Sequence, residues 1–361
     1  MFLAWRDLRT ARGRFALVGA VIALVALLTT LLSGLATGLV DDGISGLRRL
    51  PLTHLAFQPG AQMAFSRSTL TERNLTPWQK VPGVEATPIG VSFFNAKRSN
   101  GSTVDIALFG IAEGSFLAPK GQARDALAGR PGLVLSDSLR SSGVKVGDEL
   151  TIVGVDRPLP VLGFTYAGSY GHVDIAFTSL TTWQQLMFGD SARGRFSAIA
   201  VHATNDSSFA AVDRRAETTV ATKEAAYAGS PGFAAETATM DLIRGFLLVI
   251  SALIVGAFFT VWTVQRTRQI GLLKALGAST GYVVRDALGQ LAVVLVAATA
   301  VGAVLAVGLG SLVGDGVPFH LEASPVLVSA ASLIVLGMAG SLVAIRRVGA
   351  VDPILALGAD S

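Results

Sequence analysis

The sequence predicts an α-helical membrane protein with four transmembrane helices and a mixed α+β extracytoplasmic domain inserted between the first and the second. Three observations carry this. The 361 residues are 51% hydrophobic and only 15% charged, with a mean hydropathy of +0.56, whereas soluble domains carry about 25% charged residues. Four windows, 15–39, 245–264, 287–314 and 323–345, contain no charged residue, and each is at or above the roughly 20 residues needed to cross a hydrocarbon core ~30 Å thick. The interval between the first two windows is polar and carries strand and turn signals.

The chain opens with MFLAWRDLRTARGR, residues 1–14, in which Phe2, Leu3 and Trp5 fall near Leu8 and the arginines lie elsewhere. This predicts an interfacial elbow helix. The first span, 15–40, follows. At 25 residues its charge-free core exceeds the usual h-region of about 7 to 15 residues, so it is expected to be a retained helix. Gly34 and Gly38 form a GxxxG pair in its outer half; small residues at that spacing let helix backbones approach, and they are dimer-contact candidates.

The extracytoplasmic domain is expected over 41–238. Runs at 88–97 and 102–111 joined by Asn100-Gly101 predict a hairpin. Further strands are expected at 132–135, 149–155, 159–166, 173–177 and 196–203. Helices opened by Ser or Thr caps are expected at 136–142 and 179–188, and a longer Ala-rich helix at 206–222. From Phe233 a helical pattern restarts, placing Glu236, Met240 and Arg244 on one face of a stalk that continues into the second span, 239–264. A cytoplasmic loop at 265–286, the third span at 287–314, a short external loop at 315–322, the fourth span at 323–345 and a cytoplasmic tail at 346–361 complete the chain.

Orientation follows from the basic residues. Arg6, Arg9, Arg12 and Arg14 precede the first span. Arg266, Arg268, Lys274 and Arg285 lie between the second and third, and Arg346 and Arg347 follow the fourth. The loop at 315–322 has two acids and no base. Both termini and the 265–286 loop are therefore expected in the cytoplasm, with the large domain outside the cytoplasmic membrane. These three segments hold ten basic residues against Asp7, Asp286, Asp352 and Asp360, so the rest of the chain sums to −2 within a total of +4. The pI of 9.6 is topogenic, and nucleic-acid binding is excluded on this distribution.

The sequence offers little for catalysis. There is no GxxxxGK[ST] and no HExxH; Gly168-Ser169-Tyr170-Gly171 lacks nucleophile-elbow spacing; the absence of cysteine removes disulfides and thiolate sites. His54, His172, His202 and His320 are scattered and read as surface or turn residues. No enzyme acting alone, no intrinsic cofactor and no metal site are expected.

The segment Arg268-Gln269-Ile270-Gly271-Leu272-Leu273-Lys274-Ala275-Leu276-Gly277-Ala278-Ser279 resembles the cytoplasmic signature of FtsX-like or MacB-like permeases, the membrane subunits of type VII ABC systems, with Gln269 in place of the commoner Glu. Arg346-Arg347 followed by Asp352-Pro353-Ile354-Leu355-Ala356-Leu357 resembles the family's closing pattern, and Val146-Gly147-Asp148 its external V-G-D turn. The resemblance implies a homodimeric permease coupled to two copies of a cytoplasmic ABC ATPase, which binds the ATP. Coupling would run through Gln269, Ile270, Gly271, Leu273, Lys274, Ala275, Leu276 and Gly277. An apolar edge of Ile270, Leu273, Ala275 and Leu276, with hydrated basic neighbours, suits a short helix laid in a partner's groove.

Within the family the chain is most similar to the HrtB-like heme-efflux branch, on the segment 38–50 with its Leu50-Pro51 exit, Phe65-Ser66-Arg67-Ser68 and Pro88-Ile89-Gly90. That branch implies heme as substrate, taken up near the outer ends of the first two spans. Glu236 or Met240 would supply an iron ligand and Arg244 would pair with a propionate, with Asp41 and Asp42 nearby. The alternative for the same residues is that Met240 packs and Arg244 snorkels to the headgroups. Two other functions stay open: mechanotransduction to an extracytoplasmic partner such as a cell-wall hydrolase, and export of lipids, lipoproteins or peptides.

Overall fold

The structure is a computed structural model of the chain; it describes residues 12–119, 127, 130–191, 194–204, 209–265, 272, 277–313 and 317–348. Helix α1 (Arg12–Arg48) is followed by β1 (His54–Phe57), β2 (Leu70–Thr71), α2 (Glu72–Gln79), β3 (Val84–Arg98), β4 (Thr103–Ile111), β5 (Leu133–Ser136), β6 (Glu149–Ile152), β7 (Arg157–Thr165), β8 (Ser169–Tyr170), β9 (Val173–Ser179) and α3 (Leu180–Phe188). Then come β10 (Arg195–Phe196), β11 (Ala198–Ala203), α4 (Ala210–Ala216), β12 (Thr219–Thr222), α5 (Lys223–Ala226), α6 (Phe233–Gln265), α7 (Thr280–Gly310) and α8 (Ala323–Val348). The chain divides into two compact units, one of Met1–Leu39 with Thr237–Ser361 and one of Val40–Glu236.

The first unit is helical. Among the described residues, four helices hold stretches long and apolar enough to cross a membrane, Ala16–Arg48, Phe233–Phe258, Val284–Gly310 and Ala323–Leu342. Their shared core is aliphatic: Val18, Ile22, Val25 and Ala26 pack with Val255, Leu291, Leu295, Ala298 and Leu333. Two hydroxyls of α1 are satisfied within its own backbone, Thr29 Oγ1 donating to the Val25 carbonyl at 2.8 Å and Thr37 Oγ1 to the Ser33 carbonyl at 2.9 Å. Such back-bonding lets a polar residue sit in an apolar helix without an orphaned donor.

The second unit is α+β. Its main sheet runs β12-β1-β11-β3-β4-β9-β5-β7-β6, with β8 added on β9 and β6 pairing back onto the end of β3. That last pairing, Ala96–Arg98 on Leu150–Ile152, closes β3, β4, β9, β5, β7 and β6 into a ring. The β3–β4 hairpin turns at Asn100-Gly101, where Gly101 has φ +86° and the Asn100 side chain accepts from the Ser102 N–H. Three apolar clusters fill this unit. The largest packs Leu47, Leu50, Leu55 and Phe57 with Phe109, Tyr170 and Phe177, so the last turn of α1 lies in the domain core. Trp183 of α3, 2% exposed, packs in a second cluster with Leu108, Leu135 and Ala176.

Two expectations are corrected. The helix expected at 206–222 is described only as Ala210–Ala216, and 219–222 is strand β12. Glu217, at φ +53°, takes the left-handed conformation that ends a helix. The Asp213 carboxylate then accepts from Thr218 Oγ1 and from the Val220 N–H, turning the β-branched run 218–220 onto β1. At 136–142 there is one 3₁₀ turn, Asp137–Arg140, in place of a helix. The stalk does begin at Phe233 and runs unbroken into the second span. The elbow at 1–11 lies outside the described residues.

Candidate functional site

Asp41 and Asp42 lie on α1 within the second unit. Arg48 Nη2, two helical turns on, is 2.5 Å from Asp41 Oδ1. Asp42 faces a hairpin instead. Between β8 and β9, Gly171 and His172 have φ +59° and +61°, the two left-handed positions of a type I′ turn, with Tyr170 paired to Val173. The turn is fastened to α1 by backbone bonds. The Gly171 N–H donates to the Gly43 carbonyl at 2.8 Å, and the Ser169 N–H donates to Ser45 Oγ at 2.9 Å. Ser169 Oγ also bonds the Asp42 carbonyl. Tyr166 Oη donates to the Gly46 carbonyl at 3.0 Å, and an Arg49 Nη donates to the Ala167 carbonyl at 2.7 Å.

So held, the His172 ring reaches two carboxylates from distant parts of the chain. Its Nδ1 is 3.0 Å from Asp42 Oδ2, and its Nε2 is 3.0 and 3.1 Å from the two oxygens of Glu236, in the first turn of α6. Burial acts against the charged ring, but hydrogen bonds and charge from Asp42 and Glu236 outweigh it and raise the His172 pKa above the ordinary 6.5. Two of the expected heme-binding residues are thereby brought together by a histidine that sequence reading had set aside as a turn residue.

Arg244, on the same helix as Glu236, belongs to the first unit. Its Nη2 lies 3.3 Å from the Ser33 carbonyl and 3.4 Å from Ser33 Oγ, and its Nη1 lies 3.5 Å from Asp241. The guanidinium thus bridges α6 to the backbone of α1, while its Nε has no hydrogen-bond partner among the described residues. Met240, one turn earlier, is half-buried. Gly34 and Gly38 meet the 317–321 loop of the same chain. A methyl group on Gly34 would sit 2.7 Å from the Phe319 ring, and one on Gly38 would sit 2.2 Å from the Pro318 carbonyl oxygen. The His320 N–H donates to the Gly34 carbonyl at 3.1 Å. The absence of side chains on this face is what lets the loop lie against α1.

Of the coupling residues, Gln269, Ile270, Gly271, Leu273, Lys274, Ala275 and Leu276 lie outside the described residues. Gly277 has φ +96°, a conformation that favours glycine. Two residues later Ser279 caps α7, its side chain accepting from the Tyr282 N–H. A turn requiring glycine followed by a helix N-cap therefore ends the segment.

Residues 242–353, which contain this turn, most of α6 and all of α7 and α8, match the family model described as the FtsX-like permease C-terminal domain. Over that stretch the chain is similar to FtsX-like permeases. Along its whole length it is similar to a putative hemin transport system permease protein HrtB of Staphylococcus haemolyticus, 25% identical with 99% of each chain covered. It is also similar to an uncharacterized ABC transporter permease of Mycobacterium bovis, 24% identical with 99% of each chain covered. Among solved structures it is similar to the periplasmic region of MacB from Actinobacillus actinomycetemcomitans, with a TM-score of 0.36 and 14% identity over 51% of this chain and 94% of that one. The matched stretch begins inside α6, two residues before Arg244, and runs on through α7 and α8.

Proposed function

We propose that this chain is the permease subunit of an ABC efflux system that exports heme from the cytoplasmic membrane, driven by a separate ATPase through residues 265–286. The observation that carries the reading is the end-to-end similarity to a putative hemin permease, joined to an FtsX-like domain that spans the coupling segment. The sequence has no nucleotide-binding loop, so ATP belongs to a cytoplasmic partner, in two copies on a permease homodimer. Both termini lie in the cytoplasm and Val40–Glu236 outside, on the distribution of basic residues. Only 11% of the apolar window of α6 is buried within the chain, which leaves that helix free for a second copy and for lipid.

Heme is the substrate, with no intrinsic cofactor. Met240 supplies an iron ligand from the half-buried face of α6, and Arg244, an arginine within an apolar helix, supplies the cation for a propionate. Titration of heme into the purified permease tests this assignment. A Soret shift is expected, and it should be lost in the combined Glu236→Ala, Met240→Ala, Arg244→Ala variant. A shift unchanged in that variant removes these residues from the site.

A second reading, mechanotransduction to an extracytoplasmic partner, is favoured by the bonds that fasten the 166–173 hairpin to residues 42–49, the end of α1 and the residue after it. Capture of a cell-wall hydrolase by the domain, without heme stimulation of ATP hydrolysis, would select it over export.

A further inference from the structure

We propose that a break in the pairing of β3 is a docking site for a short, uncharged, extended segment of a partner protein, which adds to the sheet there as a strand. Along one side β3 is paired to β4 without interruption from Ile89 to Lys97. On its other side β11 pairs only as far as Ile89, and β6 begins at Ala96, so among the described residues no strand is paired with 90–95 on that side. In an extended strand the polar backbone groups of alternate residues point to the same side. The Val91 N–H donates to Ser197 Oγ at 3.2 Å, and the Asn95 carbonyl accepts from the Val153 N–H at 2.9 Å. Phe93, midway between them, therefore turns its N–H and carbonyl to the open edge.

The edge opens into a cleft of about 460 Å³ whose walls come from both faces of the sheet. Successive residues of β4 fall in different apolar clusters, Ala107 and Phe109 in one and Ile106 and Leu108 in the other, so these clusters are the two faces. Tyr170 belongs to the first, and Phe93 stacks on it with ring centroids 5.9 Å apart. Trp183 and Phe188 belong to the second, and Met187 joins them in lining the cleft. The indole is seated over Gly90 and Gly110, which are cross-strand partners; a methyl group on either would lie 2.3 Å from it. That wall is therefore fixed before anything binds. Phe93 and Met187, 43% and 41% exposed, leave two large apolar side chains in contact with solvent at the opening.

The lining decides the occupant. None of the residues that line the cleft is charged, so an ionic segment would lose its hydration without compensation. What is unmet is hydrogen-bonding capacity. Phe93 presents a donor and an acceptor at the edge, and Trp183, only 2% exposed, has an indole N–H with no acceptor among the described residues. An extended peptide brings donors and acceptors in alternation and no charge of its own. Its successive side chains point to opposite faces, toward Phe93 and Tyr170 on one and toward Met187 and Phe188 on the other, as in strand addition to a sheet edge. From Val91 to Asn95 the edge runs about 13 Å, room for about four residues at ~3.4 Å each. The site lies wholly in the second unit and rests on neither heme export nor mechanotransduction.

The test uses the full chain in lipid nanodiscs. The probe is a library of fluorescently labelled, end-blocked pentapeptides with apolar residues and threonine in alternation, and binding is read by anisotropy. Members that bind are expected, and the Phe93 amide should exchange its hydrogen at least about tenfold more slowly in their presence. N-methylation of a binding peptide, tried at each residue in turn, should weaken it by about tenfold at alternate positions only, because only those N–H groups face β3. Met187→Asp and Phe93→Ser, both at exposed positions, should each weaken binding by at least about tenfold, with the exchange of β4 and β9 unchanged as the control for folding. Absence of any member binding more tightly than about 1 mM overturns the proposal. So does N-methylation without effect at every position, which would mean a pocket that reads side chains alone. Unchanged binding in both variants, or an unprotected Phe93 amide, overturns it as well.

Discussion

Substituting Gly38 measures whether the small-residue face of α1 is filled from within the chain. In Gly38→Ala the new methyl carbon would lie 2.2 Å from the Pro318 oxygen, 2.4 Å from the Pro318 carbonyl carbon and 2.7 Å from the Phe319 nitrogen. All three are backbone atoms, so no side-chain rotation relieves the clash. Reaching ordinary van der Waals contact requires the loop to retreat by about 1 Å, and overpacking of this kind costs about 1–3 kcal/mol. Replacing a helical glycine by alanine returns about 1 kcal/mol, leaving a net loss of about 0–2 kcal/mol. Gly34→Ala should cost less, because its neighbours are the Phe319 ring and the Leu321 side chain. Gly19→Ala, with nothing within 4 Å, is the control and should be neutral or stabilising. The assay is reversible denaturation of the full chain in detergent under conditions that keep it monomeric. Equal stability of Gly38→Ala and Gly19→Ala would refute the intrachain packing; a loss of dimer with unchanged monomer stability would assign the pair to the subunit contact.

Two further outcomes are expected. Leu273→Asp and Leu276→Asp, each placing a charge on the apolar edge of the coupling segment, should abolish ATPase assembly and transport together, read by co-purification and by efflux; retention of both activities would remove the segment from coupling. The thermal stability of the extracytoplasmic unit should exceed that of His172→Asn most near the ordinary histidine pKa of 6.5, and the gap should shrink as the pH rises through the raised value, since a raised histidine pKa adds stability that is lost with increasing pH. A gap that widens with pH would contradict the ion pairs.

The membrane helices and the β3–β4 hairpin were legible because each is specified locally: charge-free windows long enough to span, and an Asn-Gly pair that forces the turn. Elements missed by sequence reading lack such local marks. β1 is four residues with three consecutive buried positions, so it shows no alternation. Helix α2 contains Pro77 and only Leu75 and Trp78 as buried residues. β12 continues a helix-like Ala- and Arg-rich run and becomes a strand only because Glu217 breaks the helix. The contacts of His172 are the extreme case. His172 stands 130 residues from Asp42 and 64 from Glu236, and no spacing rule joins them. The signal available was the Gly171-His172 pair between Tyr170 and Val173, which marks a turn but not what the ring touches. Glu236 and Asp42 were selected for their place near the span ends, and their shared partner emerged from the sheet that carries the hairpin.

The central claim, an ABC permease moving heme, is tested most directly by ATP hydrolysis in proteoliposomes containing this chain and its ATPase. Heme added to the membrane should stimulate hydrolysis in the wild-type complex, with stimulation lost in Leu273→Asp. Hydrolysis that is indifferent to heme across its soluble range, in a complex that remains assembled and active, would contradict the account.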